Sequence, residues 1–268
     1  MGKVGIIGGG AIGQLIAKRL QAADQEVCIK GREPLTNSTD ADIWLICTKS
    51  YQVLDAVRAL APSPSLPLVL LSNGLGSHEQ LAQQFANPLY LGTTTYGAKR
   101  DGNVVAMTGR GQCWYGHYKG GKAQLGRVHQ VLNLALPPAL FFDNVLLPLW
   151  RKLAINAVIN PLTARDNVNN GALLASHYQQ EIARLVSEMQ PVLAAQGLAM
   201  NVEQLTTAIL AVAEATAPNT SSMLADKKAG RRTEIDAITG YLCQQAAALG
   251  LAVPSHQALW QHIKGSDR

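Results

Sequence analysis

Three patterns coincide at the start of the chain, and together they leave few folds open. Lys3-Val-Gly-Ile-Ile7 is a short apolar run with the character of a buried strand. Gly8-Gly-Gly-Ala-Ile-Gly13 follows, with glycine at its first, third and sixth positions. Leu15, Ile16 and Leu20 then recur at helical spacing, with Gln14, Lys18, Arg19 and Gln21 on the other side. Strand, glycine turn and amphipathic helix in immediate succession predict a dinucleotide-binding βαβ unit. In such a unit Gly8 permits the tight turn, Gly10 lets the backbone approach a pyrophosphate, and Gly13 lets helix and strand pack closely. Gly8, Gly10, Ala11, Ile12 and Gly13 are therefore candidate cofactor-binding residues. The phosphates would meet the free N–H groups and positive dipole end of the helix.

The end of the second strand selects between the two nicotinamide dinucleotides. Glu26-Val-Cys-Ile29 reads as that strand, and an NAD site carries Asp or Glu at its end for the ribose 2′-hydroxyl. Here the chain runs into Lys30-Gly-Arg32, with no carboxylate before Glu33. Two cations suit a 2′-phosphate, so the expected cofactor is NADP(H). Arg32 is the first choice because a guanidinium can grip phosphate bidentately.

Beyond a polar connection over 34–42, Ile43-Trp-Leu-Ile-Cys47 is a further parallel strand ending in Thr48-Lys49-Ser50. A helix over 51–60 and a strand over 66–71 lead to Ser72-Asn-Gly-Leu-Gly76. Ligands of open parallel sheets sit just beyond the carboxyl ends of the strands. Lys49 is thus a candidate ligand for cofactor or substrate, set against the plainer reading of an exposed loop lysine. Asn73 beside Gly74 suggests close approach of the backbone to a ligand. From 90 to 142 the character is strand-like: Leu91-Gly-Thr-Thr-Thr95, Val104-Val-Ala-Met107 and Cys113-Trp-Tyr115 alternate with glycine turns. Arg100-Asp-Gly-Asn103 reads as a hairpin turn, 132–139 as a helix or crossover, and Leu140-Phe-Phe142 as the last strand.

The stretch from Leu147 to Ala164 reads as one helix, apolar on nearly every side and so expected to be buried. Yet Lys152, Asn156 and Asn160 lie in it at steps of four. Each step drifts about 40° and rises about 6 Å, so the three share one face. Leaving such groups buried without partners costs about 1–3 kcal/mol each, and more for the charge. Either protein groups satisfy them, or a substrate rich in oxygen lies along the stripe.

After residue 164 the pattern is helical throughout. Ile182, Leu185, Val186, Met189, Val192 and Leu193 keep one spacing, and Leu205, Ile209, Val212 and Ala213 another. Thr220 or Ser221 is the expected cap of a helical segment running from Met223 to Leu249, and Pro254 starts a final helix. Strands and turns give way to helix near Asp143. The expected organisation is therefore an N-terminal Rossmann-type domain over 1–142 and an all-α domain over 143–268.

The net charge of +5 is mild for 268 residues, and no run of Lys or Arg forms a basic stripe, which argues against nucleic-acid binding. A small positive excess suits an anionic ligand. The cysteines at 28, 47, 113 and 243 form no C-x-x-C pair and no Cys/His cluster with metal spacing, so no metal site is expected. Scattered thiols fit a reducing compartment. With no apolar run long enough for a membrane span and no room for a signal peptide before the first strand, the expectation is a cytoplasmic protein that binds no membrane. The apolar C-terminal helices could close one core or form the face of a homodimer.

Taken with Thr48-Lys49, Asn73-Gly74, Gly92-Thr-Thr-Thr95, the Trp150 to Thr163 helix and Ser221-Ser-Met-Leu224 followed by Arg232-Thr-Glu-Ile-Asp236, the chain resembles the ketopantoate reductase family over nearly its whole length. The resemblance implies NADPH-dependent reduction of 2-dehydropantoate to (R)-pantoate, on the way to pantothenate and coenzyme A. It also implies roles: Lys152 falls on the catalytic lysine and Glu234 on a substrate-binding position, from which its carboxylate is expected to accept from the substrate hydroxyl and help hold Lys152. Asn156, Asn160 and Ser222 fall on substrate-binding positions, Asn73 on a contact to cofactor and substrate, and Lys49 and Arg32 on cofactor-binding positions. The family carries a longer segment where this chain has only residues 33–42. Two other readings remain at this stage: an NADP-linked reductase of a different branched 2-keto acid, and an NADP-sensing protein without turnover.

Overall fold

The short apolar runs assemble side by side because none can bury both of its faces alone. The computed structural model describes residues 2–31, 41–102 and 104–267. Strands β1 (Val4–Ile7), β2 (Val27–Lys30), β3 (Ile43–Ile46), β4 (Leu68–Leu70), β5 (Leu89–Thr94), β6 (Gly97–Asp101), β7 (Val104–Gly109), β8 (Cys113–Lys119) and β9 (Ala139–Phe141) form two sheets. The larger has the order β2-β1-β3-β4-β5-β8-β9. Its first five strands are parallel, β8 is antiparallel to β5, and β9 is parallel to β8. Every residue of β1, β3 and β4 is buried, as a parallel sheet covered on both faces requires.

Helix α1 (Ala11–Gln21) carries the chain from β1 to β2 on one side, and β3 then pairs with β1 on the other. The strand order therefore reverses at β1/β3, opening a crevice at their carboxyl ends. The two strands also share volume. Gly5 pairs with Trp44, and a Cβ on Gly5 would lie 2.4 Å from the Trp44 ring. Helices α2 (Val53–Leu60), α3 (Ser77–Gln84) and α4 (Leu125–Ala135) complete this part. Leu15, Ile16 and Leu20 of α1 join Val128, Val131 and Leu132 of α4 in one apolar cluster. The 132–139 stretch is thus the end of α4 and the approach to β9.

Strands β6 and β7 form the expected hairpin, with Asp101 opposite Val104. They stand as a separate two-stranded sheet against α1, where the Arg19 guanidinium lies 5.5 Å over the Tyr96 ring. β7 is exposed at every residue but Val105, whereas β1, β3 and β4 are buried throughout, so the hairpin stands outside the layered sheet.

The remaining chain is helical: α5 (Leu146–Asp166), α6 (Ser176–Ala195), α7 (Val202–Ala215), α8 (Ser222–Lys228), α9 (Tyr241–Ala248) and α10 (Pro254–Ser266). The six apolar residues expected to line α6 are all buried, each contributing up to about 1.5–3 kcal/mol. Asn201 and Gln204 form a reciprocal capping box at the start of α7. The segment from Met223 to Leu249 is not one continuous helix. Gly230, at φ +61°, ends α8: its N–H donates to the Lys227 carbonyl and that of Arg231 to the Asp226 carbonyl. A π-helical turn over Asp236–Gly240 then leads into α9. Among the described residues no helix is long and apolar enough to cross a membrane. The chain divides into two compact units, Met1–Pro148 and Leu149–Arg268. A Rossmann-type α/β unit followed by an all-α unit is the arrangement expected from the sequence.

Candidate active site

In the first unit the site is made by backbone. Gly8 has φ +106°, and a Cβ there would lie 2.7 Å from the Cys47 carbonyl carbon and 2.8 Å from the Thr48 nitrogen. A Cβ on Gly13 would lie 2.0 Å from the Gly8 carbonyl oxygen. Both positions therefore exclude any side chain. Gly10 differs: a Cβ there would meet nothing within 4 Å, so open space faces it. Gly10 is the residue before α1, no side chain caps that helix, and no acidic residue occupies its first turn. The start of α1 at Ala11, Ile12 and Gly13 thus keeps the positive end of its dipole uncompensated.

The sheet brings the other candidates into line with this turn. The Gly8 N–H donates to the Lys30 carbonyl at 3.0 Å, the Cys47 N–H to Ile7 at 2.7 Å, and the Leu71 N–H to Ile46 at 2.9 Å. Lys30, Gly8, Thr48-Lys49 and Ser72-Asn73 therefore follow one another along the carboxyl edge. Two hydroxyls there, Thr48 Oγ1 and Ser72 Oγ, are buried without a hydrogen-bond partner among the described residues. An unmade bond of that kind costs about 1–3 kcal/mol, which a ligand with polar atoms can recover. Open turn, uncapped helix and orphaned hydroxyls all fit a dinucleotide cofactor. Neither hydroxyl is a candidate ligand from the sequence, although each lies two residues beyond the carboxyl end of a strand. Beyond Asn73, Gly74 and Gly76 have φ +76° and +97°. The Gly76 N–H donates to His78 Nδ1 at 3.2 Å, and burial pushes the His78 pKa down, keeping that nitrogen an acceptor.

Of the two cations offered for a 2′-phosphate, Lys30 donates to the Ala59 carbonyl at 2.8 Å. Arg32 lies outside the described residues.

In the second unit the site is made by side chains. Lys152 and Asn156 are half-buried on α5, and Asn160 is 6% exposed. Burial on every side holds for residues 157–164 but not for the first turns, where Arg151 is exposed. Thr163 anchors the far end: its Oγ1 lies 2.7 Å from the Ile159 carbonyl and 2.7 Å from Ser221 Oγ. Lys227 donates to the Ala164 carbonyl at 3.0 Å, tying α8 to the same turn. Ser221 is buried and caps α8 by accepting from the Leu224 N–H at 3.2 Å, which leaves the adjacent Ser222 exposed at the first position of the helix. Glu234 is only 5% exposed, and its carbonyl accepts from the N–H groups of Ala237 and Ile238, both at 3.1 Å. Among the described residues no group of three or more His, Cys, Asp or Glu could hold a metal ion.

The family model described as "Ketopantoate reductase PanE/ApbA C terminal" matches residues 144–267, and that described as "Ketopantoate reductase PanE/ApbA" matches 30–120. Residues 3–39 match a model of NADP oxidoreductases dependent on coenzyme F420. A 2-dehydropantoate 2-reductase of Shigella flexneri is 39% identical over 229 residues, covering 85% of this chain and 75% of the relative. That of Yersinia pestis is 33% identical over 291 residues, covering 99% and 95%. The fold matches the crystal structure of a PanE/ApbA family ketopantoate reductase from Ralstonia eutropha JMP134 with a TM-score of 0.88 at 24% identity, over 99% of this chain and 98% of that one. An uncapped glycine turn built for a dinucleotide, a helix bearing one ammonium and two carboxamides, and relatives that match over almost the full length converge on one assignment: the chain belongs to the ketopantoate reductase family.

Proposed function

We propose that this chain catalyses the NADPH-dependent reduction of 2-dehydropantoate to (R)-pantoate, with Lys152 as its proton donor. The observation that carries the reading is the α5 stripe, in which Lys152, Asn156 and Asn160 follow one another at steps of four along one face, with Thr163 at its end. NADPH supplies a hydride to the ketone carbon when bound. Gly8, Gly10, Ala11, Ile12 and Gly13 hold its pyrophosphate through backbone, with Thr48, Lys49, Ser72 and Asn73 further along the strand ends. Arg32 answers the 2′-phosphate.

The chain's own side chains then deal with charge and protons. As the carbonyl oxygen gains negative charge, the Lys152 ammonium lies against it and stabilises it. An ammonium is a far stronger acid than an alcohol, so the proton passes from Lys152 Nζ to that oxygen. Asn156 and Asn160 donate amide hydrogens to the substrate's oxygens, and Ser222 donates to its carboxylate. Glu234 accepts from the substrate hydroxyl and helps orient the ammonium.

NADPH oxidation followed at 340 nm (on the order of micromolar enzyme) with 2-dehydropantoate and a panel of other branched 2-keto acids tests the assignment. Highest kcat/KM for 2-dehydropantoate is expected; a preference for another acid overturns it. We extend the reading to a cytoplasmic enzyme, on four cysteines that form no disulfide, and to a homodimer, on the adjacent exposed Leu140, Phe141 and Phe142 at the β9 edge. Sedimentation velocity reads the latter directly.

A further inference from the structure

Glu234 sits in a short connection between α8 and the π-helical turn, a place where little regular structure holds a side chain still. What holds it comes from α10 and from Asp267, the residue that ends it. On one side of Glu234, Asp267 Oδ2 accepts from the Thr233 N–H at 3.1 Å and from the Thr233 hydroxyl at 2.8 Å. The same hydroxyl accepts from the Ile235 N–H at 3.3 Å, so Thr233 bridges across Glu234. On the other side, Asp236 Oδ1 accepts from Trp260 Nε1 at 2.8 Å and from Lys264 Nζ at 3.0 Å, and Oδ2 accepts from Arg232 at 3.3 Å. Trp260 also packs against Gly240 at the end of the π turn, where a Cβ would lie 3.0 Å from its ring. Burial alone would raise the Asp236 carboxyl, but the donors Trp260 and Lys264, with Arg232, outweigh it and hold the group below the usual carboxylate range. Thr233 and Ile235 are almost wholly buried, so this tether is a dry one on the Thr233 side.

We infer that α10 is a positioning element for Glu234, acting through Asp267 on Thr233 and through Trp260 and Lys264 on Asp236. The inference rests on the role given to Glu234 above and extends it to residues that do not touch substrate. Two clamps, one residue before and two residues after, fix the backbone that aims the Glu234 carboxylate. Displacement of a positioned group by a fraction of an ångström costs transition-state and substrate contacts, not cofactor affinity.

The test is a cycle of Asp267→Ala, Asp267→Asn, Glu234→Gln and the Asp267→Ala/Glu234→Gln double variant. Kinetics with 2-dehydropantoate are measured alongside NADPH binding by fluorescence titration. Asp267→Ala is expected to raise KM for the keto acid and lower kcat/KM about tenfold, with the NADPH Kd within about twofold. Asp267→Asn keeps an acceptor and recovers most of the loss. In the Glu234→Gln background the Asp267→Ala loss disappears, because both act through one group. Should Asp267→Ala fail to fold, Thr233→Val removes the same hydroxyl bridge and carries the same expectation. Wild-type kcat/KM in Asp267→Ala beside an impaired Glu234→Gln overturns the inference and leaves the Glu234 role standing. A full additional loss in the double variant, or an equal loss of NADPH affinity, overturns it as well. Wild-type turnover in Glu234→Gln overturns the role of Glu234 and this inference together.

Discussion

The candidate residues of the two units are set up by opposite means. Around Gly8, Gly10 and Gly13 the site consists of what is missing: side chains are excluded at two positions and open space stands before the third. Along α5 it consists of what is present, three polar side chains spaced about one turn apart along one face. Backbone recognition of phosphate needs shape and unpaired N–H groups, which almost any scaffold of strand, turn and helix can offer. Proton transfer to a nascent alkoxide needs a particular acid at a particular place. Substitutions in the first unit should therefore damage cofactor affinity, and those in the second should damage turnover.

Lys152→Ala is the severest test of that contrast. It is expected to lower kcat by about 10²–10⁴-fold while NADPH still binds. Near-normal turnover, or loss of NADPH binding, would break the division of labour.

The glycines come next. Gly13→Ala places a carbon 2.0 Å from the Gly8 carbonyl oxygen and is expected to lose both NADPH binding and native thermal stability. Gly10→Ala meets no protein atom within 4 Å, so its melting temperature should hold while NADPH affinity falls by about tenfold or more. Equal melting temperatures for the two variants, or undiminished affinity in Gly10→Ala, would contradict the open-space reading.

A smaller effect separates adjacent serines. Ser221→Ala removes the α8 cap and its link to Thr163, with an expected stability loss of about 1–2 kcal/mol by denaturant titration. Ser222→Ala should leave stability unchanged and raise KM for the keto acid several-fold. Exchange of those two phenotypes would show that the exposed serine is not the substrate's.

The smallest effect is one of pH. His256 is fully buried, and burial pushes its pKa below the ordinary 6.5 against the opposing pull of the Leu185 carbonyl and Glu188. Below that value the unfolded chain takes up a proton that the folded chain does not, so the stability contributed by neutral His256 is present above pH 6.5 and is lost as pH falls through it. His78 acts in the same direction. Melting temperatures at pH 7.5 and 5.5 should fall together with pH, and His256→Gln should remove part of that slope.

Much of this architecture is legible in the sequence, for physical reasons that also mark where legibility stops. The β1–turn–α1 unit and the α6 face could be read because glycine spacing and apolar periodicity are local signals. The α5 stripe could be read because a helix turns one residue type at steps of four into a line. Gly230 stands in plain view, yet a lone glycine in a helical pattern is tolerated too often to end a helix by itself. The orphaned hydroxyls of Thr48 and Ser72 follow from sheet order, which sets neighbours far apart in sequence. Pairing of Thr233 with Asp267 and of Asp236 with Trp260 is likewise nonlocal, and no periodicity announces it.

Trp44 standing over Gly5 carries a consequence for anyone redesigning the nucleotide unit. The two positions behave as one volume split between neighbouring strands. A library that varies residue 5 alone should return glycine and nothing else, whereas joint randomisation should yield pairs in which bulk has moved across the rung, a larger residue at 5 always accompanied by a smaller one at 44.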